Sequence, residues 1–147
     1  MLVNGHFIGP GADLLSANLM GANLSGVDLS GANLVDAILI GANLRGANLS
    51  GAMLNSVVAS TADFSGANLS GATLGYATLQ LANFSDANLS GCTFPHADLS
   101  GANLQNANLF EADLRKSDLR GANTKGVLLS NTKVPEIHAD LFFRFDA

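Results

Sequence analysis

Tryptophan is absent from this 147-residue chain, tyrosine and cysteine occur once each, and charged residues make up only 13%. Each shortage excludes something. A single cysteine, Cys92, rules out an internal disulfide framework. With aromatics at 6%, the 48% hydrophobic content leans heavily on Ala and Leu, so the core must be thin and regular. Seven Lys and Arg stand against 12 Asp and Glu, a net charge of −5, which argues against direct binding of nucleic acid. No stretch approaches the roughly 18 apolar residues of a membrane helix. The opening MLVNGHFIGPG has neither the cationic region nor the apolar run of a secretory signal. The expectation is one cytoplasmic domain with no membrane association.

What the chain does have is a period of five. Stepping by five from Leu14 to Leu129 gives 24 positions, 22 of them Leu or Phe; Ala59 and Thr124 are the exceptions. Two residues before each stands a small one: Ala at most, Val27, Val57, Val127, Cys92 or Ser117 elsewhere. The residue between is Asp or Asn in 17 of the 24. On a helix, five steps of about 100° smear the leucines around the axis. On a flat strand, five is odd, and successive pairs flip between faces. A short extended segment followed by a corner, repeated until the chain closes on itself, keeps every pair inside. That is an all-β solenoid.

Grouping by twenty decides the number of sides. Ser30, Ser50, Ser70 and Ser90 fall in one column, and Asn23, Asn43, Asp63, Asn83, Asn103 and Asn123 in another. Glycine ends twelve repeats but never in the column Ser16, Asp36, Ser56, Tyr76, His96, Lys116, which predicts a different turn type at that corner. Four sides and twenty residues per coil make six coils, a rod about 29 Å long at ~4.8 Å per layer. Leu or Phe fills the axis and Ala leaves room for it. Gly tolerates positive φ at corners. Asn and Asp bond neighbouring backbone, and stacked Asn can form ladders.

GANLSGVDLSGANL (Gly21 to Leu34) and HADLSGANLQNANLFEADL (His96 to Leu114) resemble the pentapeptide-repeat family, whose motif is A(D/N)LXX. The resemblance spans residues 12–131 and implies a right-handed quadrilateral parallel β-helix. Spacing alone does not give the hand.

A solenoid has open ends that must be covered. Residues 1–11 form a lead-in, with Phe7 and Ile8 as an N-terminal lid. Residues 132–147 drop the period and predict a short amphipathic helical cap, with Pro135 in its first turn and Ile137, Leu141 and Phe145 at i, i+4 and i+8. Phe142 and Phe143 exceed what a cap needs. They either pack on the last coil or, with Ile137, Leu141 and Phe145, form a homodimer contact; some family members similar to this chain, notably those linked to quinolone resistance, dimerise through such an end.

Chemistry-bearing patterns are scarce. His6, His96 and His138 have no second ligand at metal spacing, Cys92 sits at an inward small-residue position, and the serines lie at outward corners with no positioned base. Four equal sides predict no cleft. No metal, cofactor or catalytic residue is expected, and the chain reads as a non-enzymatic interaction module with an unknown protein partner.

Function must then lie in outward residues that break the repeat. Leu15, Met20, Val35, Ile38, Ile40, Met53, Val58, Tyr76 and Leu81 are apolar or aromatic at such positions and gather in coils one to four. They are either drift within the repeat or a flat protein-binding face. Arg115, Lys116, Arg120 and Lys125 make a basic end, either solvated and paired with Glu111, Asp113 and Asp118 or free. The family resemblance also implies a rival role, mimicry of duplex DNA toward DNA gyrase. The outward acids for it are Asp13, Asp28, Asp36, Asp63, Asp86, Asp98, Glu111, Asp113 and Asp118, unevenly spread.

Overall fold

The computed structural model describes residues 1–143. Its organising feature is a ladder of parallel bridges in which each residue pairs with the one twenty positions on. The rungs run from Asp13↔Asn33 to Asp113↔Lys133. Four walls result. The first carries Asp13, Asn33, Met53, Thr73, Thr93 and Asp113; the second Asn18, Ile38, Val58, Thr78, Asp98 and Asp118. The third begins at Asn23 and the fourth at Asp28.

The five-residue unit works because it satisfies all five of its backbone N–H groups. In the unit around Leu34, Asn33 donates down to the Ala12 carbonyl at 2.9 Å and Leu34 donates up to Met53 at 2.7 Å. Asp36, at the corner, donates up to Asn55 at 3.1 Å, and Ala37 closes the turn onto Leu34 at 3.0 Å. The fifth donor, on Val35, has no backbone partner; it bonds Oδ1 of Asn33 at 3.1 Å. Every Asp or Asn of the pattern makes this same bond to the N–H two residues on, as at Ser30, Ser70 and Lys125. An orphaned N–H costs about as much as a lost hydrogen bond, so this local bond explains why amide and carboxylate side chains recur. Side-chain ladders are sparse by comparison. Asn33 reaches Asp13 at 3.5 Å, Asn48 reaches Asp28 at 3.4 Å and Asn123 reaches Asn103 at 3.3 Å.

Every corner turns the same way. The glycine-free corner predicted to differ has φ of 56° to 64° at Ser16, Asp36, Ser56, Tyr76, His96 and Lys116, close to the 65° of Gly51. With a bond closing each turn, this is type II geometry throughout. Glycine is therefore preferred at corners but not required.

The interior is a column of central side chains. Leu14 through Leu119 are buried, with Ala, Val57 and Cys92 filling the gaps between them. Phe64 and Phe84 stack one turn apart with centroids at 4.8 Å. At Ala59 the order reverses: Val57, in the small position, supplies the missing volume, and both are fully buried. Leu129, in the last turn, is only partly buried.

The ends differ from expectation. Strands β1 (Leu2–Val3) and β2 (His6–Phe7) form an antiparallel hairpin. Asn4 and Gly5 turn it with positive φ at both residues, the chemistry of a type I′ turn. Strand alternation sends Phe7 outward, 59% exposed, so Ile8 and Val3 meet the core instead of Ile8 and Phe7. At the other end Glu136–Leu141 is a 3-10 helix with Pro135 as its N-cap. Three residues per turn put His138 and Leu141, not Ile137 and Leu141, on one side. Ile137 is accordingly 83% exposed, while Leu141 and Phe142 pack against the core. Phe145 lies outside the described residues.

Candidate interaction surface

Six of the nine outward apolar residues converge on the second wall. The rung Ile38↔Val58 forms its centre. Ser16 donates to the Val35 carbonyl at 2.8 Å, which stacks Leu15 beside Val35 along one edge. Gly21 donates to Ile40 at 2.9 Å, which stacks Met20 beside Ile40 along the other. Leu15 and Met20 are exposed; Val35, Ile38, Ile40 and Val58 are half-buried by their neighbours. The core beneath is complete, with Leu19, Leu39 and Ala59 all inaccessible to solvent, so packing does not account for the outward set.

The other three lie apart. Met53 is on the first wall, between Asn33 and Thr73. Tyr76 stands at the corner between the first and second walls and stacks on His96 at 5.0 Å. Leu81 occupies the next corner, between the second and third walls, its side chain over Gly101. Further along the second wall the character changes from apolar to acidic, through Thr78 to Asp98 and Asp118.

The described arginines are committed, whereas the lysines are not. Arg115 grips Asp113 through Nε at 3.0 Å and Nη2 at 2.8 Å, and Arg120 grips Asp118 in the same way. Each guanidinium holds its carboxylate below the usual range. Arg45 reaches Asp63 at 3.5 Å. Glu111 has no ion pair among the described residues, nor do Lys116 and Lys125. Burial pushes the Cys92 thiol up to about 12, and its Sγ lies 2.8 Å from the Leu69 carbonyl, which makes it a poor nucleophile. Among the described residues no three His, Cys, Asp or Glu side chains gather as a metal site. No helix is long and apolar enough to cross a membrane.

The walls are not featureless, contrary to expectation. A depression of about 480 Å³ opens between Thr93, Pro95, Asp113, Arg115 and Lys116, and a second of about 360 Å³ lies beside Thr124, Leu141 and Phe142. Sequence reasoning missed Thr124's part in the latter: its hydroxyl donates to the Leu141 carbonyl, tying the helix to the last turn. It also missed Pro95, which stands two residues after Thr93. Thr93 supplies no local bond of the Asn type, and Pro95 has no N–H that would need one. Both signals were in the sequence.

A spiral of twenty-residue turns built from Ala-Asn-Leu units defines a parallel β-helix of repeated pentapeptides. The chain belongs to the pentapeptide-repeat family: the family model for pentapeptide repeats matches in eight copies, over residues 10–36, 17–55, 62–101 and 87–131. Among solved structures it is similar to HetL, a pentapeptide repeat protein involved in heterocyst differentiation regulation from Nostoc sp. strain PCC 7120. The identity is 37% over 86% of this chain, with a TM-score of 0.43; the chain spans 65% of HetL. It is similar to Rfr23 from Cyanothece 51142 at 30% identity, covering 83% of this chain and 90% of that one, with a TM-score of 0.44. A trypsin-treated form of QnrB1, a plasmid-mediated fluoroquinolone resistance protein, matches at 22% identity over 81% of this chain and 66% of its own, with a TM-score of 0.51. No curated protein matches the chain.

Proposed function

We propose that the chain is a non-enzymatic, cytoplasmic scaffold of six coils that binds another protein through the apolar half of its second wall. One observation carries this reading: Leu15, Met20, Val35, Ile38, Ile40 and Val58 are contiguous on a flat wall whose core is already filled without them. Contiguous exposed apolar area is what recognition surfaces present, whereas isolated apolar residues carry no meaning. The acid further along the same wall would orient a partner by charge.

In this reading the 3-10 helix closes the last coil with Leu141 and Phe142, and Ile137 and Phe143, which face outward, offer a contact for a second copy. The rival reading, a DNA-mimicking modulator of gyrase, needs an unbroken run of outward acid. Asp63, Asp113 and Asp118 are each paired with an arginine, which interrupts it. Likeness to QnrB1 at this identity speaks for the fold alone.

The test is a pull-down comparing the wild type with an Ile38→Asp, Val58→Asp variant whose fold is verified by circular dichroism. The reading expects partners captured by the wild type to be lost from the variant. Recovery of the same proteins with both would end it, and inhibition of gyrase supercoiling by micromolar protein would replace it with the rival.

A further inference from the structure

The corner between the first and second walls is stacked by one repeated bond. Ser16 donates to Val35, Asp36 to Asn55, Ser56 to Gly75 and Tyr76 to Pro95, at 2.8 to 3.1 Å. The next bond in the series, from His96 N–H to the Arg115 carbonyl, is not made, and His96 N–H has no other partner among the described residues. The first wall is already stretched below this point. Its rungs lengthen from 2.9 Å at Met53 to 3.2 Å at Thr73 and 3.3 Å at Thr93. The next rung, from Asp113 N–H to the Cys92 carbonyl, is back at 2.9 Å, and Phe94 N–H reaches the Asp113 carbonyl at 3.0 Å, so the turn carrying Arg115 and Lys116 parts from the turn carrying Pro95 and His96 only at this corner. The 480 Å³ depression lined by Thr93, Pro95, Asp113, Arg115 and Lys116 is that gap.

The gap is basic on an acidic molecule. Lys116 has no carboxylate within ion-pair distance among the described residues. Lys133 pairs in the ladder with Asp113 and adds a third cation to the same wall. Among the described residues Asp113 is the only acid lining it, and both its oxygens are engaged by Arg115 through Nε and Nη2. That grip leaves Nη1 of Arg115 for a ligand and fixes the plane of the guanidinium at the rim, so Asp113 acts as a positioning residue. The His96 N–H, next to Pro95 but outside the lining, and the Arg115 carbonyl are left without each other at this corner. A planar guanidinium and an ammonium around one concavity, with an unpaired backbone N–H one residue beyond its lining, form the donor set of an oxyanion site.

The geometry points to a phosphate-binding site at this corner, selective for a tetrahedral oxyanion that is free or carried as a monoester on another molecule. It lies at the opposite end of the spiral from the apolar patch and does not depend on it.

The experiment is an amide-resolved NMR titration of the full chain with inorganic phosphate at constant ionic strength, repeated with a phosphoserine peptide. Saturable shifts at His96, Arg115 and Lys116 are expected, with a dissociation constant on the order of 1 mM for phosphate. Lys116→Gln should weaken binding about tenfold, while Lys125→Gln, at a different corner, should leave it unchanged. Tighter binding of the peptide assigns a protein-borne phosphate, and equal binding assigns free phosphate. Shifts that never saturate, or equal losses in the Lys116 and Lys125 variants, overturn the site and reduce it to general attraction between anion and lysine. Both substitutions are at exposed side chains, and the amide dispersion of the same spectra reports that the fold is intact.

Discussion

Gly75 donates its backbone N–H to Oδ1 of Asn55, one full turn below, at 3.0 Å. The bond substitutes for one the repeat has lost. Residue 73 is Thr rather than Asn, so the N–H two positions on has no local acceptor, and Asn55 supplies one from the same corner of the previous turn. Room for this is tight. A Cβ at Gly75 would lie 3.2 Å from Asn55 Oδ1 and 3.2 Å from Pro95 Cγ. The Asn55 amide can rotate away only by giving up the bond, and the Pro95 ring, closed on its own backbone, can move Cγ only by changing its pucker. Gly75→Ala should therefore destabilise the protein by about 1–2 kcal/mol, although Gly75 has no positive φ. Chemical denaturation of the two proteins measures the difference.

Corner positions should behave in the opposite way. Gly51 has φ of 65° with open space around its Cβ, and Asn106 and Asn131 hold φ of 60° and 56° at equivalent corners. Gly51→Asn should be nearly neutral, since Asn tolerates the left-handed region, whereas Gly51→Val should cost about 1–2 kcal/mol. At Gly101 the Leu81 side chain occupies the same space, so Asn there should cost more than at Gly51. Thermal melts of the three variants give the ranking.

The twenty-residue turn was legible because stacked columns share character, and Leu14 and Leu34 do lie on one wall, joined by the Asp13↔Asn33 rung. Counting groups all nine apolar candidates on one face; in the structure six share the second wall, while Met53, Tyr76 and Leu81 lie apart from them. Three kinds of feature escaped. The glycine-free column reads as a distinct corner, but φ near 60° is accessible to Ser, Asp, Tyr, His and Lys when an i→i+3 bond and a stacked neighbour hold it. A period near four places Ile137 inward, and the helix that forms has a period of three. The depression at Pro95 lies where one corner bond, His96 to Arg115, is absent although the Thr93↔Asp113 rung beside it is intact, and no residue pattern reports a hydrogen bond that fails to form.

Below neutrality, stability should depend on pH through five carboxylates. Arg115 holds Asp113, and Arg120 holds Asp118, below the ordinary carboxylate range; the Ser30 N–H does so for Asp28. At Asp63 and Asp98 burial pushes upward, but bonds from Ser65 and Arg45, and from Ser100 and Gln80, outweigh it. All five are lowered in the folded state, so the unfolded chain takes up protons first as pH falls. Their contribution is fully present above the unfolded carboxylate value of about 4 and is lost as pH drops through the lower folded values. The unfolding midpoint should be flat from neutrality down to about pH 5 and decline below about pH 4. Asp118→Asn separates charge from local geometry. An Asn there keeps the acceptor for the Arg120 N–H, as Asn123 does for Lys125 at 3.1 Å, but it has no proton to gain. The variant should be less stable than the wild type at neutral pH, by what the ion pair contributes there, and should fall less steeply in acid, where the two proteins converge. An unchanged acid slope would mean that this ion pair contributes nothing to the pH dependence.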